Sequence, residues 1–568
     1  MSPGSGTNPG VTASVPVRGR IALTEQNPLG AAQLAAFATA GTPFARLFPA
    51  RYDTPDTWAR LAAERRARAG SGPMFDPDFG QALVAEHRRL GASARSLASA
   101  EALAGGRALA VVAGQQPGPL GGPLYSWHKT WTAVALARAL AARLGVPVVP
   151  VFWNATEDAD FDEVATATWG SPDGALESAS LPREARVEGR MVGALPAGVA
   201  RNVWGAARGA WTSRPGSARA FALLDRAART AETNGDLGDV GSSLMLAAFA
   251  DEGLVVVDPR LPAFRRAALP LYERYADLHR TVQERVDGLG DAIEDMGFAR
   301  GFPKLQTEFP LFEATADLRR HLRPGEIQAA LARARDGRDT GLVPGAMLRP
   351  IAQDFVLPTL ALAAGAGEIA YLAQLPGAYE ALGVTMPAIV PRWSATWLPA
   401  AALDVAAEAG CPPEALIVDP DGALAEFFAR GVPGELAAPL AALRAHVVDT
   451  LGGIATGAPA LDRSLPELVR ATARRVDWRL GRLADGFARK ARRAWKRRHP
   501  EGAHLGELLR PYGKLQERTL AWLDIVARGG RAAEQAAEAA ATAHVEAALA
   551  GGTLYHDAIA VPGSGEDA

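Results

Sequence analysis

The segment that most restricts how this chain can fold runs from residue 108 to residue 163: ALAVVAGQQPGPLGGPLYSWHKTWTAVALARALAARLGVPVVPVFWNATEDADFDE. An apolar run at 109–113 meets a glycine–proline loop at 114–122. An amphipathic stretch follows over about 123–144, and a second apolar run at 147–153 ends in acidic residues. This is the pattern of a strand, a crossover helix and a parallel strand. Open parallel sheets bind ligands outside the carboxyl ends of their strands. Both distinctive loops of the segment fall at such ends.

At 568 residues the chain exceeds one ordinary core, so two or three domains are expected. Hydrophobic residues at 48% and charged residues at 21% give the balance of a soluble globular protein. No run of eighteen apolar residues occurs, so no membrane span is expected. Residues 1–17 are rich in Gly, Ser, Thr and Pro without an apolar signal core, and read as a disordered tail. The single cysteine, Cys411, can form no internal disulfide, which fits a reducing cytoplasm and a structural role. One cysteine and nine scattered histidines offer no zinc quartet, and there is no Gly-x-Ser-x-Gly elbow.

Residues 18–399 read as an α/β core with a parallel sheet, carrying insertions near 170–241 and 264–340. Leu254–Asp258 gives a further buried-strand signal, and 344–391 supplies the remaining strands. Helices with basic faces are expected over 52–103. From about residue 400 to 568 alanine and leucine dominate and the chain reads as a long α-helical coiled-coil domain, with 511–528 packing back on the core. Leu465, Val469, Thr472, Val476, Leu480, Leu483 and Phe487 recur at three- and four-residue intervals, close to a heptad seam. Residues 470–498 hold twelve basic and two acidic residues, a local +10 in a chain of −2. A nucleic-acid contact is disfavoured there, because few stacking aromatics accompany the charge; salt-bridging to acidic partners is the better reading.

Four groups of residues suit chemistry. The loop Gly114, Gln115, Gln116 to Gly122 lets a backbone approach an anion, and the helix start after it offers free N–H groups. A plain strand-to-helix connection is the alternative. His128 and Lys129 lie early in that helix, beside Tyr125; the placement resembles the histidine signature of class I aminoacyl-tRNA synthetases, but without the His-x-Gly-His spacing, and a partly buried helix histidine is the alternative. After Trp153, the run Glu157, Asp158, Asp160, Asp162 and Glu163 puts five carboxylates in seven residues, able to hold Mg²⁺ or an ammonium group, or simply to start a solvated helix. Arg349, Gln353, Asp354, Glu368, Tyr371, Gln374 and Arg392 form a polar set in an apolar region. Such groups must pair with one another or face a ligand.

Three blocks carry a resemblance. They are Gly114-Gln115-Gln116 with Gly122-Pro123-Leu124-Tyr125 and Val149 to Trp153; Leu348-Arg349-Pro350 with Gln353-Asp354, Gly367 to Tyr371, Gln374-Leu375, Met386-Pro387 and Pro391-Arg392; and Gly513 to Arg518. Together they resemble the cysteine ligases of bacillithiol biosynthesis. The resemblance implies a Rossmann-like core, a coiled coil, a homodimer in the cytoplasm, and amide formation between cysteine and glucosaminyl malate. One departure stands out: the family pattern Glu-Asp-His-Asp has Ala159 in place of its histidine. Activation of the carboxylate implies ATP, with ADP or AMP as product, and Mg²⁺. On this reading the loop, His128 and Lys129 hold phosphate or carboxylate, the acidic run holds ammonium or Mg²⁺, and Arg349 or Arg392 holds a malate carboxylate. A non-catalytic coiled-coil scaffold and an RNA-binding relative of the class I synthetases are the competing readings.

Overall fold

The computed structural model describes residues 17–24, 28–30, 32–69, 75–304, 310–315, 317–336 and 340–562. The expected tail at 1–16 lies outside them; Val17, counted with that tail, instead opens a strand, Val17–Ala22. Described residues within 1–169, 177–397 and 516–568 form one compact unit, and those within 170–176 and 398–515 a second.

The first unit is built on five parallel strands, ordered in space Ala388–Pro391, Thr359–Ala364, Leu109–Gln115, Val148–Asn154, Val255–Val257. Numbered along the chain, that order is 5-4-1-2-3, the doubly wound arrangement. Every residue of the strands Val148–Asn154 and Thr359–Ala364 is buried, as a sheet covered on both faces requires. Gly114 pairs with Trp153 and Gln115 with Asn154, so the two loops read from the sequence emerge side by side. The chain order reverses between the strands Leu109–Gln115 and Thr359–Ala364. That reversal opens the crevice where such sheets take ligands.

The crossover helix Leu124–Leu144 buries Trp127, Trp131, Val134 and Leu136, and ends at Gly145 in the left-handed conformation. The helix Trp522–Leu549 packs along it; its alanines at 533, 536, 537, 540 and 541 permit close approach. The helices expected over 52–103 form as Pro55–Ala69, Pro77–Arg89 and Ala94–Ala104. Region 170–241, read as poor in regular structure, contains the helices Arg201–Trp211 and Ser217–Glu232 and the start of Leu237–Ala248. In its helices Arg201, Gly205, Gly209 and Arg229 are exposed, while Val203, Trp204, Ala207, Trp211, Leu223 and Leu224 are buried. Residues 264–295 belong to one helix, Pro262–Asp295, and the strands Leu311–Thr315, Leu318–His321 and Thr340–Pro344 form a three-stranded antiparallel sheet.

The expectation of an entirely helical region from 400 to 568 needs correction at its end. Tyr555–Ala560 is a strand, antiparallel to Val17–Ala22, and residues 516 onward belong to the first unit. The run Tyr-His-Asp-Ala-Ile-Ala has no apolar–polar alternation, so no local period marks it as a strand. The second unit is helical from Ala400–Ala409 through Leu505–Leu509. Its two long helices, Gly434–Gly457 and Leu465–Arg498, lie against each other, with Arg444 paired to Asp477. The seam residues Leu480 and Phe487 therefore face this chain's own helix across a groove with Leu440 and Val448, whereas Leu468 and Leu483 remain exposed. Cys411 is half-buried just after the left-handed Gly410. No helix among the described residues is long and apolar enough to cross a membrane.

Candidate active site

The crevice is organised by Lys129. Its ammonium donates to the Gly114 carbonyl at 2.9 Å and to Gln115 Oε1 at 3.3 Å, and pairs with Glu368 at 2.7 Å. One side chain thus ties the first strand's loop to the helix that follows the fourth, across the point where the strand order reverses. Burial pushes the Lys129 amine down, against the opposing charge of Glu368. Tyr125 lies beside it, its ring 5.5 Å from the Lys129 nitrogen and its hydroxyl accepting from Gln115 Nε2 at 3.0 Å. Gln116 reaches the acidic run, donating to Asp158 at 3.1 Å and to Glu163 at 2.6 Å.

The glycine loop is held by packing as well as by backbone conformation. Gly121 and Gly122 have φ of +78° and +91°, which disfavours any side chain there. A Cβ on Gly114 would come within 3.1 Å of Trp153, so Trp153 forms the floor beneath the loop and is itself fully buried. The helix start is not wholly free, because the Leu124 amide donates to the Leu520 carbonyl at 2.7 Å. Ser126 Oγ, however, is buried without a partner, 3.1 Å from where a Cβ on Gly122 would sit. A cavity of about 30 Å³ beside the loop, lined by Gln115, Gln116, Gly122, Tyr125, Glu163 and Thr519, has room for about one water.

His128 does not reach the loop. It is fully buried, and both ring nitrogens are engaged: Nδ1 with Glu517 at 3.0 Å, and Nε2 with the Trp397 indole N–H at 3.3 Å. An indole only donates, so Nε2 accepts and Nδ1 carries the proton. Burial pushes the imidazole pKa down, and the ring is neutral. The structure thus places His128 as a buried helix histidine, the alternative to a phosphate contact at the loop. Glu517 is the hub beside it. Besides His128 it takes both terminal nitrogens of Arg392, the Ser394 hydroxyl at 3.0 Å and the Ala395 amide at 3.4 Å. Burial alone would raise its carboxyl pKa, but Arg392 and the His128 hydrogen bond hold it well below the usual carboxylate range. Arg392 consequently offers no two-pronged clamp; only its Nε remains unpartnered, close to Gly365.

The acidic run separates on folding. Asp160 is exposed and caps the short helix Phe161–Val164 through the Glu163 amide. Asp158 accepts from Arg319 at 3.1 Å and from Gln116. Among the described residues no group of three or more His, Cys, Asp or Glu side chains is placed to hold a metal ion. Ala159, at the family's histidine position, is half-buried, and its amide donates to Asp158 Oδ1 at 2.7 Å.

Glu157 turns inward instead. It is 3% exposed, and neither carboxylate oxygen has a partner outside its own residue. Burial pushes its pKa up to about 7, with Asp258 and Asp158 adding to the rise and Arg349 opposing it. Arg349 is half-buried and donates to the Tyr371 hydroxyl at 2.9 Å. Its charge also acts on Glu368, Glu157 and Asp158, which places it among the acidic groups of the crevice.

Three members of the polar set lie away from this crevice. Asp354 accepts from the Tyr379 hydroxyl at 2.6 Å and from Gln353, and feels the charge of Arg65. Arg65 in turn donates to the carbonyls of Thr359 and Thr385, which precede or open the fourth and fifth strands. Gln353 and Asp354 therefore brace the amino-terminal edge of the sheet, opposite the site. Gln374 accepts from the Phe302 amide at 2.6 Å and is structural too. A polar residue in an apolar stretch looks the same from sequence whether it faces a ligand or another buried polar group. Sequence reasoning also gave no role to Glu517, although it lies in the flagged block at 513–518, nor to Arg319, Arg265 or Tyr272.

A family model described as "Bacillithiol biosynthesis BshC, N-terminal Rossmann-like domain" matches residues 21–393. A protein of Salinibacter ruber named "Putative cysteine ligase BshC" is 28% identical over 489 residues, covering 82% of this chain and 87% of the relative. The protein of that name from Geobacillus kaustophilus is 28% identical over 80% of this chain and 86% of its own. That of Symbiobacterium thermophilum is 32% identical over 61% and 67%.

Proposed function

This chain belongs to the bacillithiol biosynthesis BshC family, and from that membership we propose that it joins the carboxyl of cysteine to the amine of glucosaminyl malate, the last step in making the thiol. The observation that carries this reading is the match over residues 21–393, which takes in all five central strands and both loops of the crevice.

A free carboxylate does not acylate an amine, so the cysteine carboxyl must first be activated; ATP, arriving with Mg²⁺, would supply that by leaving a phosphoryl or adenylyl group on it. The glycine loop at 114–122 is the segment that would receive phosphate, as its half-buried residues 114–116 and 122 border the crevice. Lys129 offsets negative charge nearby, sharing it with Glu368. Glu157, poised near neutrality, takes the proton that the aminosugar's ammonium must lose before its nitrogen attacks. The new C–N bond forms as the phosphate or nucleotide departs. Arg349 is the arginine with nitrogens to spare for a malate carboxylate. We place the reaction in the cytoplasm, where cysteine is held reduced.

Purified protein given cysteine, glucosaminyl malate, ATP and Mg²⁺ should form bacillithiol, read by mass. A strain lacking this gene that keeps a normal bacillithiol level, with no second copy, would remove the assignment. Undiminished product without any nucleotide would remove only the activation step.

We further propose a homodimer through the helical second unit. Leu436, Leu443, Ile454, Leu468, Trp478 and Leu483 are exposed on its long helices, an apolar surface that a lone hairpin leaves wet. Leu468→Asp with Leu483→Asp should turn a dimer into a monomer in light scattering; a wild-type chain already monomeric at micromolar concentration contradicts the assembly.

A further inference from the structure

The long helix Pro262–Asp295 carries Arg265, whose Nη2 lies 3.8 Å from Met191 Sδ, and the turn after Met191 is bonded to the chain on both sides of Glu157: the Val192 amide donates to the Asp158 carbonyl at 2.6 Å and the Gly193 amide to the Thr156 carbonyl at 2.9 Å. Tyr272 is fully buried and its hydroxyl has no partner. Arg265, seven residues earlier and so on the same helix face, is half-buried with an unpartnered Nε. The charge of Glu157 acts on both, and that of Arg265 acts on Tyr272. A Cβ at Gly341 would overlap the Arg265 side chain, so glycine there leaves Arg265 its position. Four buried polar atoms of one neighbourhood thus lack partners: Glu157 Oε1 and Oε2, the Tyr272 hydroxyl and Arg265 Nε. Left so, each costs about 1–3 kcal/mol, and such a concentration is the mark of a site rather than of a core.

We propose that Glu157, Tyr272 and Arg265 form a buried subsite for a primary ammonium group with an oxygen acceptor beside it. The ammonium has three N–H donors, which suit the two Glu157 oxygens and the lone pairs of Tyr272. Arg265 Nε–H and the Tyr272 O–H are donors, and need an oxygen on the neighbouring carbon. Two ligands share that chemistry: an α-amino acid, with its carboxylate, and a 2-amino sugar, with its ring hydroxyls. Burial that raises the Glu157 pKa is what an ammonium ligand would reverse on binding. The identification of the two ligands rests on the ligase reading; the subsite itself rests on the unpartnered atoms.

The test is calorimetric titration of the full chain with cysteine, with glucosaminyl malate and with the N-acetyl form of each, using wild type, Glu157→Gln and Tyr272→Phe. Each variant should bind one of the free amines about tenfold or more weakly, as expected for a lost charge-assisted hydrogen bond. The N-acetyl forms should not distinguish variants from wild type. Loss confined to cysteine assigns the subsite to the amino acid; loss confined to glucosaminyl malate assigns it to the sugar. Tyr272→Phe should unfold at the same temperature as wild type or higher, since it removes a buried hydroxyl that bonds to nothing. Equal affinity of both amines for wild type and variants, or a drop in unfolding temperature with unchanged affinity, overturns the subsite in favour of structural water. Product formed alongside unchanged amine affinities sinks the subsite and leaves the ligase; amine-selective loss without any product does the reverse.

Discussion

Glu517→Ala is expected to lower the unfolding free energy by about 3–5 kcal/mol, the usual consequence of stripping one partner from a buried ion pair. The substitution leaves the Arg392 guanidinium buried without its carboxylate, and leaves His128 Nδ1–H and the Ser394 hydroxyl without their acceptor. Replacing both partners, as Glu517→Leu with Arg392→Met, should recover much of the loss, because two desolvated charges go together. Urea unfolding at pH 7 measures both. The pH dependence carries a second signature. The Glu517 pKa is depressed in the folded protein, so its contribution is present above the unfolded value of about 4.3 and is lost as pH falls through the folded one. His128 adds in the same direction: its folded pKa lies below about 6.5, so the unfolded chain binds the extra proton and acid favours unfolding. Glu517→Ala should flatten the acid limb below about pH 4.3. A variant as stable as wild type would mean that the hub does not hold the 516–518 segment to the sheet.

Glu157→Gln should move stability the other way and abolish most activity. In the folded protein this carboxyl titrates at about 7, whereas a free glutamate titrates near 4.3. Between those values the folded chain binds more protons, so wild-type stability falls as pH rises, and above pH 7 the full penalty stands, on the order of 3 kcal/mol. The glutamine variant has no such term. It should match wild type at pH 4 and exceed it at pH 8. Its turnover should drop roughly 10²–10⁴-fold, the range for a lost general base, and the rising limb of the wild-type pH–rate profile near 7 should vanish. Equal stability of the two proteins at pH 8 would show that Glu157 is solvated or paired in solution.

The parallel core was legible because its signal is local and strong. Two fully apolar runs around an amphipathic crossover admit few other folds, and the block from Ala108 to Glu163 folds as read, with Gly114 beside Trp153. Glu157 could be named for the same reason, since it follows a strand of the parallel sheet, whereas Lys129 was named from its place in the helix after the loop, and Arg349 and Glu368 only as polar residues in an apolar region. What sequence could not decide was direction. Glu157 and Asp160 are three residues apart, yet one is buried without a partner and the other caps a helix in solvent. Asp354 and Glu368 both read as carboxylates in an apolar region, yet they lie at opposite edges of the sheet, because one precedes the strand Thr359–Ala364 and the other follows it. Nor could it show that His128 is locked by a glutamate 389 residues away, or that a helix over 262–295 leaves the Tyr272 hydroxyl and Arg265 Nε buried with unfilled hydrogen bonds. The chain's own chemistry determined the sheet, its loops and the residue types at the crevice. Which of those residues are satisfied, and which are left with unfilled hydrogen bonds, depends on contacts between segments hundreds of residues apart, and only the tertiary structure brings those segments together.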